Sequence, residues 1–208
     1  TFTVAANNTL QGTAAKLTGT TASGDGTTAV TALHSTKAAD LGDINTTTVT
    51  AAATATDATI TFTGDLGKAT VAITGGNGGG NDIFNVDGAT MGTATFTVAA
   101  NNTLQGTAAK LTAKTASGDG ATAVTALHST LAADLSNIDT TTTTAAFDGD
   151  GTFTGTLDDA VVTVGDGFTM TAAATKVSGE TVNKVGGGNG VLAVTLGTGD
   201  ASVNLTQV

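Results

Sequence analysis

Short runs of alternating apolar and polar residues, separated by turn residues, make up most of the chain. Phe2 and Val4 alternate with threonine, and the segments 59–63 and 70–74 follow the same pattern. A period of two is typical of a half-buried strand. Glycine, asparagine and aspartate stand between the runs, and we expect the segment 23–26 to form one such polar corner. The pattern predicts an all-β chain of many short strands.

The segment 1–52 returns at 95–146 with only eight differences. Near-identity at a fixed offset marks a repeat protein. A third, diverged start places Val164 where Val98 stood, so the third copy begins sooner after the second than the second does after the first. The basic unit is therefore about 66 residues long, and the first copy contains an insertion of about 25 residues.

These two lengths favour a parallel β-solenoid. If one coil takes about 20 to 25 residues, a unit of about 66 residues is about three coils and the insertion is one more. A solenoid accepts a whole extra coil because each layer contacts only its neighbours. The alternative is a row of tandem antiparallel β-sandwich modules. Such modules do not readily tolerate a period that shortens from one copy to the next.

We expect residues 1–208 to form one continuous repeat solenoid. Unit one is 1–94 and carries the extra coil at about 74–98, unit two is 95–160, and 161–208 is a partial third unit. The chain opens inside a strand-like pattern, and we therefore expect it to be a piece of a longer protein.

Composition narrows the classes of function that fit this chain. Threonine makes up about a quarter of the residues, whereas Pro, Cys and Trp are absent. The formal charge of −10 repels phosphate backbones, which argues against nucleic-acid binding and favours a hard divalent cation such as calcium. Without cysteine there is no disulfide framework and no thiolate metal site. No apolar run approaches the ~18 residues that a transmembrane helix needs.

His34 and His128, the only two histidines, occupy the same repeat position. Four coils at ~4.8 Å each would place them roughly 20 Å apart, so one site cannot use both. Ser35 and Ser129 follow them directly, but adjacency in sequence does not make a catalytic triad. We interpret both histidines as repeated corner residues.

Asp158 and Asp159 are the one adjacent pair of acids, the residue type used in glycoside hydrolysis. Gly67 and Lys68 stand at the corresponding positions of unit one, so the pair is not part of the repeat design. The absence of Trp and Tyr removes the platforms on which sugar rings stack. A polysaccharide-processing enzyme is therefore disfavoured, and we predict no catalytic residues.

The segment 77–85 resembles the glycine- and aspartate-rich nonapeptide GGxGxDxUx of RTX proteins, without its first glycine. In that family, glycine turns and the aspartate hold calcium while the apolar residue, here Phe84, fills the core. The resemblance implies a calcium site that includes Asn81, Asp82 and Asp87. Successive copies are needed to enclose an ion and this chain has one, so a plain glycine-rich corner remains the alternative.

As a whole, the unit resembles the tandem repeats of large secreted bacterial surface proteins such as adhesins and S-layer-like proteins. The resemblance lies in the strand-like start and in the LHST segments at His34 and His128. It implies an extracellular or cell-surface structural role as a stiff spacer, lattice or filament element that self-associates. The alternative is an adhesin surface that binds a ligand or ice through outward threonine ladders, as in 59–63 and 152–154.

Overall fold

The computed structural model describes residues 1–55, 59–75, 82–197, 204 and 206. The chain winds into a β-solenoid of about nine turns. Every strand pairing in the described residues is parallel. The predicted parallel β-solenoid is therefore confirmed, and the alternative of antiparallel sandwich modules is wrong.

The strands are β1 (Phe2–Thr3), β2 (Thr9–Thr13), β3 (Ala22–Thr31), β4 (Ile44–Ala55), β5 (Thr59–Thr61), β6 (Thr70–Gly75), β7 (Asp82–Asn85), β8 (Thr95–Val98), β9 (Asn102–Thr107), β10 (Ala116–Thr125), β11 (Ile138–Phe147), β12 (Gly151–Phe153), β13 (Val161–Val164), β14 (Thr169–Ala173), β15 (Val182–Lys184) and β16 (Val191–Thr195). Single helical turns are α1 (Ala14–Leu17), α2 (Ala108–Leu111) and α3 (Ala174–Val177), and 3-10 turns are Leu33–Ser35 and Leu127–Ser129.

One large sheet runs along the solenoid in the order β1-β3-β4-β6-β8-β10-β11-β13-β15. From β1, which contains Phe2, to β8, which contains its copy Phe96, there are four steps along this order. From β8 to β13, where the next copy begins, there are three. The longer repeat interval thus makes four coils and the shorter one makes three.

β3 and β10 pass straight through the segments where a polar corner was expected. The predicted corner at 23–26 is therefore wrong, because Ala22–Thr31 is one strand with a register shift between Gly24 and Thr27. The equivalent shift in β10 begins at Gly118, whose φ is 120°. A Cβ on Gly118 would collide with the Val98 carbonyl oxygen, so glycine lets the bulged strand approach the preceding coil.

Aspartates form a regular corner where successive coils bend. The Oδ1 atoms of Asp40, Asp65 and Asp134 each accept a bond from the amide two residues on, at 3.0, 2.7 and 3.0 Å. Such turns are a common use of aspartate, because its side chain replaces a backbone acceptor. Thr18 and Thr112 of the preceding coils accept the N–H groups of Asp40 and Asp134, both at 2.8 Å. Side chains therefore continue the interstrand ladder around this corner.

The interior is one continuous apolar column built mainly from small residues, with a few large rings. Phe62 and Phe84 lie on adjacent coils with ring centroids 5.8 Å apart. Phe62, Phe84, Phe96, Phe147 and Phe153 are the largest fully buried side chains. Alternate strand residues face inward, which is the reason for the period of two in the sequence.

Candidate functional site

The predicted calcium ligands occupy different environments. Asn81 lies outside the described residues. Asp82 begins β7 with its side chain in the interior and is 2% exposed. Asp87 is exposed at the following corner, where its carboxylate accepts bonds from the Thr107 amide at 2.6 Å and from Asn85 Nδ2 at 3.1 Å. Among the described residues, no group of three or more His, Asp or Glu side chains could hold a metal ion.

Asp82 has a buried polar neighbour that the sequence did not point to. Its ladder partner on the next coil is Asn102, which is 3% exposed. Asn102 donates from Nδ2 to the carbonyl oxygens of Ala99 and Ala100, whereas its buried Oδ1 has no hydrogen-bond partner among the residues that the structure describes. The signal that could have found this pair is their separation in sequence, which equals the length of one coil.

A second polar cluster joins Asp148, His128 and Ser129. Asp148 Oδ1 lies 2.5 Å from His128 Nδ1, and Ser129 Oγ lies 3.2 Å from His128 Nε2. Because Asp148 comes from the next coil, sequence adjacency could not show it. The corresponding residue in unit one is Thr54, and within the described part of the chain the buried Nδ1 of His34 has no hydrogen-bond partner.

This Asp–His–Ser series has the order of a catalytic triad, but the neighbouring backbone does not supply an oxyanion hole. The amides of Ser129 and Thr130 donate to the carbonyl oxygens of Ala126 and Leu127, at 3.0 and 3.1 Å. Acyl transfer needs free donors directed at the developing oxyanion. The contacts therefore indicate a link between neighbouring coils at the surface, in which the ring of His128 also packs edge-on against the ring of Phe147.

Asp158 and Asp159 line a surface groove of about 510 Å³ together with Asp139 and the threonine run 140–143. Both residues have positive φ values, 50° and 61°. Glu180 lies nearby, and its partial burial and the charges of Asp159 and Asp158 raise its pKa. The groove is acidic, and its adjacent acids replace the glycine and lysine of unit one as the sequence indicated.

Outward threonines form short ladders on the large sheet, one of which aligns Thr9, Thr27 and Thr48. Thr50, Thr70 and Thr95 are aligned on three consecutive coils, and Thr95 Oγ1 donates to Thr70 Oγ1 at 3.2 Å. Ala29 precedes Thr50 in the same register. In the predicted Thr-x-Thr segment of β5, Thr59 is aligned with Ile83.

Comparison with known protein families, with curated proteins and with solved structures yields no match. None of the helices in the described residues is long and apolar enough to cross a membrane.

Proposed function

We propose that this chain is a non-catalytic structural repeat of an extracellular surface protein. It acts as a stiff spacer, lattice or filament element, and it associates with other copies by stacking coil on coil. The observation that supports the proposal is that successive coils share parallel ladders and one apolar interior.

Residues 1–13 and 95–107 have the same sequence, but only the second segment has a coil on both sides. There Phe96 is paired with Val71 and is 2% exposed, and Leu104 is paired with Phe84 and fully buried. The corresponding Phe2 is 48% exposed. The interior copy therefore shows how a preceding coil covers the side chains of this sequence.

Physical properties of the solenoid suit a spacer. Parallel ladders connect successive coils, and the apolar interior is shared between them, so bending requires many hydrogen bonds to distort together. An unpaired strand edge is a template for another strand. The net charge of −10 keeps the lateral faces soluble and directs association toward the ends.

Sedimentation velocity and electron microscopy over a range of protein concentrations test this proposal. We expect elongated particles whose length grows with concentration in steps of one chain. Phe2→Asp should abolish this growth, because it places a charge on the covered surface. Thr50→Asp, on a lateral face, is the control and should leave growth unchanged. Discrete short monomers at every concentration, with or without calcium, would refute self-assembly.

A second candidate is an ice- or ligand-binding surface, favoured by the ladder of Thr50, Thr70 and Thr95. Aligned hydroxyls at the spacing of coils offer a regular array of hydrogen-bonding groups. Measurement of thermal hysteresis tests the ice-binding form directly. Hysteresis that disappears in Thr70→Lys would support it, whereas no hysteresis at high protein concentration excludes it.

A further inference from the structure

Three coils carry an Asp-Gly or Asn-Gly pair where they pass over the corner of the preceding coil. The glycines are Gly26, Gly120 and Gly190, and each stands directly before a residue that is paired with the preceding coil. A Cβ on these glycines would lie 2.5, 2.5 and 2.6 Å from a backbone oxygen of that coil, so the position requires glycine. The residue before the glycine is aspartate in the first two coils and Asn189 in the third.

The backbone around Asn189 differs from that of the two aspartates. Asp25 lies within β3 and Asp119 within β10. Asn189 is exposed and lies in the segment 185–190 between β15 and β16, which is neither helix nor strand. An exposed segment without a strand ladder samples more backbone conformations than a strand does. Asn189 therefore has the local freedom that a reaction with its own backbone requires.

The amide nitrogen that follows Asn189 also differs from its counterpart in the first copy. The N–H of Gly26 donates to the carbonyl oxygen of Val4 at 3.0 Å. Val164 is the copy of Val4, but its carbonyl oxygen accepts from the N–H of Val185 instead, at 3.1 Å. The N–H of Gly190 donates to no acceptor in the part of the chain that the structure describes. A backbone nitrogen without an acceptor thus follows an exposed asparagine.

We propose that Asn189 is a modification site at which the chain deamidates itself through a succinimide. The Gly190 nitrogen attacks the side-chain carbonyl carbon of Asn189, a new N–C bond forms, and the C–N bond to the side-chain amide breaks. The amide group takes up the proton from the Gly190 nitrogen and leaves as ammonia. Water then opens the ring at one of its two carbonyls, which gives aspartate or isoaspartate. Glycine favours the attack because it has no side chain to hinder it. The reaction does not depend on self-assembly.

Isoaspartate at this position would loosen the coil that contains β16. Its backbone runs through the former side chain and is one carbon longer before Gly190. Gly190 has no room to move toward the preceding coil, since even a Cβ there would lie 2.6 Å from the Val164 oxygen. β16 begins at Val191, whose N–H donates to the Phe168 oxygen at 2.9 Å where β16 starts to pair with β14. The added carbon therefore displaces the start of β16 from β14.

Peptide mapping by mass spectrometry of folded protein aged at mildly alkaline pH tests the site. Trypsin cuts after lysine, so the peptide 185–208 carries Asn189, and 177–184 carries Asn183, an exposed asparagine followed by lysine. We expect a gain of about one mass unit at Asn189 and none at Asn183. The other Asn-Gly sequence, at 77–78, falls in the peptide 69–110 and is read separately. Fresh protein digested in parallel shows how much change arises during digestion.

Asn189→Gln is the control for the chemistry. Its longer side chain forms a ring far more slowly, and it keeps the backbone N–H that donates to Asp166 Oδ1 at 2.7 Å. We expect the folded wild type to convert at a rate within about tenfold of that in the urea-unfolded chain. An intact Asn189 in the aged folded protein would overturn the proposal, whether or not the unfolded chain converts. Conversion of Asn183 at the same rate as Asn189 would overturn the role of Gly190.

Hydrogen exchange of the segment 191–195 tests the effect on the coil. Exchange should be faster in aged wild type than in fresh protein, and unchanged in Asn189→Gln aged in the same way. Fresh Asn189→Asp has the new charge without the longer backbone and should exchange like fresh wild type. Equal exchange in aged and fresh wild type would overturn the displacement of β16. Faster exchange in fresh Asn189→Asp would overturn its assignment to the longer backbone.

Discussion

The two identical segments at the start of units one and two allow the stabilising effect of a covering coil to be measured within one chain. Phe2 and Phe96 have the same neighbours in sequence, and they differ in whether a coil precedes them. Substitution by alanine at each position removes the same atoms. The difference between the two losses of stability therefore reports the contribution of the preceding coil.

The expected loss of stability in each variant follows from how much of the phenylalanine ring is buried. Phe96 is 2% exposed, so Phe96→Ala leaves a closed cavity and should cost about 3–5 kcal/mol. Phe2 is 48% exposed, so only about half of the transfer free energy of the ring is lost, and solvent fills the vacated space. We expect Phe2→Ala to cost about 1–1.5 kcal/mol.

Urea unfolding followed by circular dichroism measures both values, at a protein concentration low enough to keep the chain monomeric. The slopes with denaturant must agree between variants for the free energies of unfolding to be compared. Equal losses for Phe2→Ala and Phe96→Ala would refute the reasoning. At concentrations where chains stack, the cost of Phe2→Ala should rise toward that of Phe96→Ala.

Three further predictions concern single residues. Partial burial and the charge of Asp159 raise the pKa of Glu180 above its ordinary 4.5. The contribution of Glu180 to folding stability is therefore present below pH 4.5 and is lost as the pH rises through the folded-state pKa. Glu180→Gln should therefore raise the unfolding temperature slightly at neutral pH and leave it unchanged at acidic pH; a loss at neutral pH would contradict this. Asp148→Ala should change the balance between the two ring-nitrogen tautomers of His128, which ¹⁵N NMR detects, and an unchanged spectrum would disprove the contact. Gly118→Ala should cost at least about 2 kcal/mol in urea unfolding, because it combines a positive φ with a backbone collision; a neutral effect would contradict the bulge.

The sequence was enough to predict the architecture because the repeat offsets are multiples of a coil. The alternation around Val71 and Ile73 identified inward positions, and both residues are buried. The prediction of a corner at 23–26 was wrong because glycine and aspartate usually mark turns, whereas here Gly24 permits a bulge within a long strand. Local composition cannot distinguish these two uses of glycine.

Contacts within the candidate sites depend on how coils are aligned, and this alignment varies along the chain. Asp82 is aligned with Asn102, whereas Asp40 is aligned with Asp65. The separation in sequence is several residues longer in the second pair than in the first. A mean coil length therefore leaves an uncertainty of several residues, which is enough to place a side chain on the wrong face. The coil length offers Asn102 as one of several candidate partners of Asp82, and the structure selects it.

The identity of residues 1–13 and 95–107 has a consequence for refolding from denaturant. β10 has its own neighbours β8 and β9, yet β1 and β2 carry the same side chains and match its edge equally well. During collapse the two segments compete for pairing with β10. Pairing of β1 and β2 with β10 would leave the intervening coils as an unfolded loop. Refolding should therefore include a slow phase of strand exchange, and substitutions that make the two segments different should remove it.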